Sequence, residues 1–200
     1  MVRLPEKLKI YYNDRVYSPE YSSLEPIWLA DKLINDGGRE DLSVLDVGCG
    51  SGVLGLGIKK LHPKAQVFLS DVDPEAVRVA KLNSKRLGLP VVVYDADMLP
   101  DGNWDIIVAN LPTYSEEDME QDLHGPFDAY YAGEPLAFYE DLFSSAKGRC
   151  KAIICECQEK YQEPFLKMTE REGWNLVLRT KYGFAFFPQS STTTSKNTPT

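Results

Sequence analysis

The feature that most constrains this chain is Leu45-Asp46-Val47-Gly48-Cys49-Gly50-Ser51-Gly52, where a strand runs into a glycine turn and then a helix. Val44 to Val47 reads as the end of a buried strand, and Val53, Leu54, Leu56 and Ile58 open a helical pattern. Glycines at alternate positions fill the turn. Glycine tolerates positive φ and lets a ligand approach the backbone, so the turn makes a small-molecule site. Several nucleotide-binding folds use such a turn, and alone it does not choose among them.

The next strand narrows the choice. Gln66 to Ser70 ends in Asp71, 21 positions beyond Gly50. An acid at that spacing can accept hydrogen bonds from both hydroxyls of a ribose. Dinucleotide dehydrogenases pair such an acid with G-x-G-x-x-G, but position 53 is valine here. The spacing Gly48-x-Gly50-x-Gly52 instead resembles the cofactor motif of class I S-adenosylmethionine (SAM) methyltransferases.

Strand and helix signals alternate beyond residue 40, which predicts a parallel sheet covered by helices. Strands are expected over 44–47, 67–70, 91–94, 104–109 and 152–157, with helices over 53–61, 74–87, 136–146 and 159–172. Asp73 is the expected N-cap of the second of these helices, with Pro74 at its first position. Two antiparallel strands, 175–181 and 184–188, meet at Tyr182-Gly183. A parallel sheet closed by one antiparallel hairpin resembles the class I methyltransferase pattern. The resemblance implies an α/β, three-layer Rossmann-like fold with a mostly parallel seven-stranded sheet. Residues 1–40 form an N-terminal elaboration with one helix, Leu24 to Ile34, preceded by Ser23 at the N-cap position. Residues 41–189 form the SAM-binding domain. The Ser/Thr-rich tail, 190–200, lacks apolar anchors and is expected to be disordered.

The second strong signal is Asn110-Leu111-Pro112-Thr113-Tyr114, directly after the fourth strand. It resembles the N-P-P-Y turn of methyltransferases that act on an amide or amino nitrogen. The lone pair of such a nitrogen is delocalised and must be localised toward the methyl group. The resemblance implies that the Asn110 side-chain oxygen and the Leu111 carbonyl accept the two N–H bonds. It implies too that Pro112 stiffens the turn, with Tyr114 supplying the ring over the planar group if the loop bulges. This is positioning and electrostatic stabilisation, without a strong base. The chain departs from the signature in having Leu111 for the first proline and Thr113 at the aromatic position. A proline turn with Asn110 as a local cap is the structural alternative.

The same resemblance implies a cofactor pocket. Asp46, Gly48, Cys49, Gly50 and Gly52 come from the glycine turn, and Asp71 and Val72 from the second strand. Asp97 and Met98 follow the third strand, with Asp95 as the neighbour open to confusion with Asp97. Asn110 and Tyr17 complete the set. No metal ligand is expected.

Three further stretches resemble the HemK-type protein-glutamine methyltransferases. They are Val16-Tyr17-Ser18-Pro19-Glu20, Tyr130 to Glu134 followed by Phe138-Tyr139, and Cys155-Glu156-Cys157-Gln158. Shorter members of that group often work with a small activating partner, which the resemblance implies here too.

Composition bounds the rest. At 200 residues, 43% hydrophobic and 26% charged, the chain can bury one full core. It has no apolar run of membrane-spanning length, and Met1 to Lys9 lacks a secretion core. Four cysteines without C-x-x-C spacing argue against zinc or a disulfide framework and suggest a cytoplasmic protein. The net charge is −8, and residues 87–146 contain no lysine or arginine. That run includes the turn at Asn110. A solvated acidic face accounts for it, but an acidic cleft also disfavours a polyanion, since nucleic-acid binding rests on Lys and Arg neutralising phosphates. The expected function is SAM-dependent N-methylation of a protein side chain resembling a glutamine amide, on a basic protein or cationic small molecule. Alternatives are a nucleic-acid base, another small molecule, or a non-catalytic SAM-binding scaffold.

Overall fold

The computed structural model describes residues 8–13, 16, 24–115 and 131–189, with backbone alone at 114, 115 and 131–133. Helix α1 (Glu25–Gly37) is followed by β1 (Ser43–Val47), α2 (Val53–Leu61), β2 (Gln66–Asp71), α3 (Pro74–Leu87), β3 (Val92–Asp95) and β4 (Trp104–Ala109). After β5 (Tyr114–Ser115) and β6 (Tyr131–Gly133) come α4 (Ala137–Ser145), β7 (Cys150–Glu156), α5 (Gln162–Arg171), β8 (Trp174–Arg179) and β9 (Gly183–Pro188).

Seven strands form one sheet in the order β3-β2-β1-β4-β7-β9-β8. The first five are parallel, and β9 pairs antiparallel with both β7 and β8. β1 and β4 are buried along nearly their whole lengths because helices cover both faces. Alternation along β4 divides the core. Ile107 and Ala109 face the side of α4 and α5, while Ile106 and Val108 face the side of α1 and α2. On the α4–α5 side, Phe143 meets Trp174 and Phe186 edge-to-face at 5.6 and 5.2 Å. The Trp174 indole N–H donates to the Phe143 carbonyl at 3.0 Å.

Local chemistry explains the helix ends. The Asp73 carboxylate accepts from the Glu75 N–H at 2.9 Å, and Gly88 closes α3 at φ 64°. The helix expected over 159–172 is a 3-10 turn (Glu159–Tyr161) followed by α5. Pro164 has no N–H for the Lys160 carbonyl and its ring crowds that carbonyl, so α-helical geometry cannot extend back. α1 runs three residues past the expected Ile34, to a left-handed Gly38. Leu24 precedes α1 without a side-chain cap, and Ser23 lies outside the described residues. Glu25 serves another end of the molecule: its Oε2 accepts from the Tyr182 and Gly183 N–H groups at 2.6 and 2.8 Å and from the Thr180 hydroxyl. That carboxylate ties α1 to the β8–β9 turn, and α1 packs on β7 and β9 as part of the same core. β5 pairs parallel with β6 as a separate two-stranded sheet. The Ser/Thr-rich tail and residues 116–130 lie outside the described residues. All four cysteines are free and buried. Among the described residues no helix is long and apolar enough to cross a membrane.

Candidate active site

Strand order reverses at β1, with β2 on one side and β4 on the other. In an open α/β sheet, ligands bind outside the carboxyl ends of the strands at such a switch point. The glycine turn leaves β1 there. Register aligns Val47 with Ser70 of β2 and Ala109 of β4, so the turn stands between Asp71 and Asn110.

Gly48, Gly50 and Gly52 all have positive φ, at 63°, 52° and 81°. The Cys49 N–H donates to the Ser70 carbonyl at 3.0 Å, which extends the β1–β2 ladder into the turn. The Gly50 N–H donates to Asp71 Oδ2 at 2.8 Å, and the Asp73 N–H to Oδ1 at 2.9 Å. Two backbone groups thus orient this carboxylate, and each oxygen keeps a lone pair for a ligand hydroxyl. Burial raises the Asp71 pKa, an effect the backbone N–H groups only partly offset. Val72, next to it, is 64% exposed, an apolar side chain held out at the rim.

Asp46 lies fully buried beneath the turn. Its Oδ2 accepts from the Gly55 N–H at 2.9 Å, but Oδ1 has no partner among the described residues. Burial pushes its pKa up to about 7. A buried acceptor without a donor is costly, and a ligand that brings an N–H relieves it. Oriented Asp71 and exposed Val72 have the chemistry that the ribose hydroxyls and adenine of SAM would require, with the orphan oxygen of Asp46 beneath them.

Asp97 is an exposed carboxylate just past β3, and Asp95, also exposed, is the last residue of that strand. Ala96 donates its N–H to the Asp71 carbonyl at 3.0 Å, which brings this turn beside Asp71. Met98 has φ 55°, and its carbonyl accepts from the Ser70 hydroxyl at 3.1 Å. Cys49 is buried, which drives its thiol pKa well up and leaves it inert. Tyr17 lies outside the described residues.

On the other side of the switch point, Asn110 and Pro112 are half-buried, while Leu111 and Thr113 are buried. Leu111 packs against Gly48. Its N–H donates to the Tyr139 hydroxyl at 3.1 Å, and that hydroxyl donates to the Glu156 carbonyl at 2.6 Å. The position after Pro112, aromatic in the N-P-P-Y signature, is therefore filled by a buried threonine. Tyr114 heads β5, and its side chain lies outside the described residues.

Sequence reasoning missed Asn83. This fully buried residue of α3 accepts from the Tyr11 N–H at 2.9 Å and donates to the carbonyls of Tyr11 and Ser51 at 2.7 and 2.9 Å. It joins the N-terminal segment to the glycine turn, where Val16 approaches Gly50. The signal was present: Ala76, Val79, Ala80 and Asn83 share one helical stripe, and the asparagine is its polar member.

The fold is that of the class I S-adenosylmethionine-dependent methyltransferases. Within that class, the chain belongs to the methyltransferase small domain family, whose model matches residues 26–127. It is 37% identical over 117 residues to the release factor glutamine methyltransferase of Deinococcus radiodurans, covering 55% of this chain and 42% of that protein. It is 43% identical over 143 residues to the ribosomal protein L11 methyltransferase of Thermotoga petrophila, covering 70% and 47%. The chain thus spans less than half the length of either relative. Among solved structures, a 16S rRNA methyltransferase from T. thermophilus, in complex with AdoMet and guanosine, shares the fold at TM-score 0.62 and 17% identity. That match covers 86% of this chain and 44% of the other.

Proposed function

We propose that the chain is a SAM-dependent N-methyltransferase whose acceptor is a planar nitrogen, such as the side-chain amide of a protein glutamine. The observation that carries this reading is that Leu111 occupies the space next to Gly48, which supports a close approach of the Asn110 turn to the glycine turn. SAM, when bound, supplies an electrophilic methyl group on a positively charged sulfur. Asp71 and the glycine turn hold and orient it. The Asn110 side-chain oxygen and the Leu111 carbonyl accept the two acceptor N–H groups. Holding both N–H bonds localises the nitrogen lone pair along the line of attack. With the new C–N bond made and the C–S bond broken, the nitrogen would be positive, and the same two oxygens would stabilise that charge until one N–H proton passes to solvent. A protein acceptor is supported by the absence of lysine and arginine from residues 87–146.

A nucleobase amino group is the second reading, favoured by one feature. Lys160 and Lys181 lie over the rings of Tyr161 and Tyr182 at 4.9 and 4.6 Å, near the carboxyl end of β7. Gln162 joins the two loops by donating to the Lys181 carbonyl at 2.7 Å. Cations beside aromatic rings suit unstacked bases and phosphates. The deciding experiment is transfer of label from radiolabelled SAM into a fractionated cell extract, with and without nuclease. Label retained in a protein band after nuclease supports the first reading, and nuclease-sensitive label supports the second.

A further inference from the structure

At the first proline of N-P-P-Y the chain has Leu111, and the difference has a physical consequence. Proline fixes φ through its ring and carries no N–H. Leucine leaves φ free and brings an N–H, here at a buried position, that requires an acceptor. The acceptor is the Tyr139 hydroxyl, which passes its own proton to the carbonyl of Glu156. Glu156 ends β7, the strand beside β4, with Ala109 opposite Cys155. One phenol therefore bridges the ends of adjacent strands at the point where the Asn110 turn departs. Tyr139 is 0% exposed and held edge-to-face against Phe165 at 5.2 Å. Burial keeps its proton in place by raising its pKa well above the ordinary value.

We infer that Tyr139 is a positioning residue that does by hydrogen bonding what proline would do by ring closure, fixing the Leu111 backbone so that its carbonyl and the Asn110 side chain face the acceptor nitrogen. The inference rests on the reading of Asn110 and Leu111 as the acceptor-binding turn. Three constraints then act on Leu111: Tyr139 on its N–H, Gly48 against its side chain, and Pro112 after its carbonyl.

The test is a double-mutant cycle of Tyr139→Phe and Leu111→Pro, with Asn110→Ala alongside. Initial rates of transfer from radiolabelled SAM into cell extract give Vmax and the KM for SAM. A separate titration gives the SAM Kd of each variant, because Leu111→Pro also removes the side chain packed on Gly48. Tyr139→Phe should lower Vmax by about tenfold or more while the SAM Kd holds. In the Leu111→Pro background, where no N–H remains to be held, the same substitution should change Vmax by less than about twofold. Equal losses in both backgrounds would mean that Tyr139 acts through packing or Glu156 alone, and would overturn the inference. Normal transfer by Tyr139→Phe with Asn110→Ala inactive would overturn it while sparing the acceptor turn. Normal transfer by Asn110→Ala would remove both. Amide exchange of Leu111 in the unaltered protein gives a check independent of variant folding. Protection comparable to β4 is expected, and fast exchange would contradict the bridge.

Discussion

Leu111 fills the space that a side chain on Gly48 would need: a Cβ built on Gly48 falls 2.7 Å from Leu111 Cδ2. The cofactor turn and the proposed acceptor turn are thus close neighbours, which would set an acceptor held by one near a cofactor held by the other.

Gly48→Ala tests that contact. The methyl group collides with Leu111, and φ 63° is strained for any residue with a Cβ. A loss of about 1–3 kcal/mol in folding stability is expected, with weaker SAM binding. Denaturant midpoints and a SAM titration measure the two effects. Full retention of both would mean that the turns yield freely.

Asp71→Ala removes the acceptor that the Gly50 and Asp73 N–H groups share. If this carboxylate also holds the ribose, the SAM Kd should rise about tenfold to a hundredfold, as for loss of a hydrogen bond to a charged group. Calorimetric titration reads the change directly, and an unaltered Kd removes the ribose role.

Asp46 predicts a pH dependence. Its folded pKa of about 7 lies above the unfolded value, so the folded state holds the proton more tightly. Its contribution to stability is greatest below about pH 4 and declines as pH rises toward 7. A ligand donating to Oδ1 favours the ionised form, so SAM affinity should rise as pH increases through about 7. Titrations from pH 5.5 to 8.5 should show that slope in the unaltered protein and lose it in Asp46→Asn. The same slope in both would place the titrating group elsewhere.

Asn83→Ala leaves the Tyr11 N–H and two carbonyls without their partner. A destabilisation of about 2–3 kcal/mol is expected, with earlier proteolysis near Tyr11 and weaker SAM binding through Ser51. Limited proteolysis followed by mass spectrometry locates the first cut. Cleavage elsewhere, with Tyr11 still protected, contradicts the latch.

Much of this was legible because the relevant patterns are local. The helix after the glycine turn lies where the apolar spacing sets it, and Asp73-Pro74 announces α3. Asp71 could be picked out by spacing because a parallel β1–β2 pair sets the ends of its strands side by side. What escaped depends on long-range contact. Asn83 bonds to Tyr11 across 72 positions, and Glu25 caps a turn more than 150 residues away. Tyr139 belongs to a stretch that resembles the HemK-type enzymes, yet its hydrogen bonds exist only once β4 and β7 are adjacent. The break before α5 is readable from Pro164, which fits the first turn of a helix but cannot receive one that begins a turn earlier.

The most direct test of the account is Asn110→Ala, assayed for SAM affinity and for methyl transfer into cell extract on the same preparation. Because Asn110 also borders the cofactor pocket, the account predicts a SAM Kd raised no more than about tenfold, and transfer at saturating SAM reduced by at least about a hundredfold. Transfer at the normal rate would contradict it, because the acceptor nitrogen would then be held somewhere other than the turn after β4.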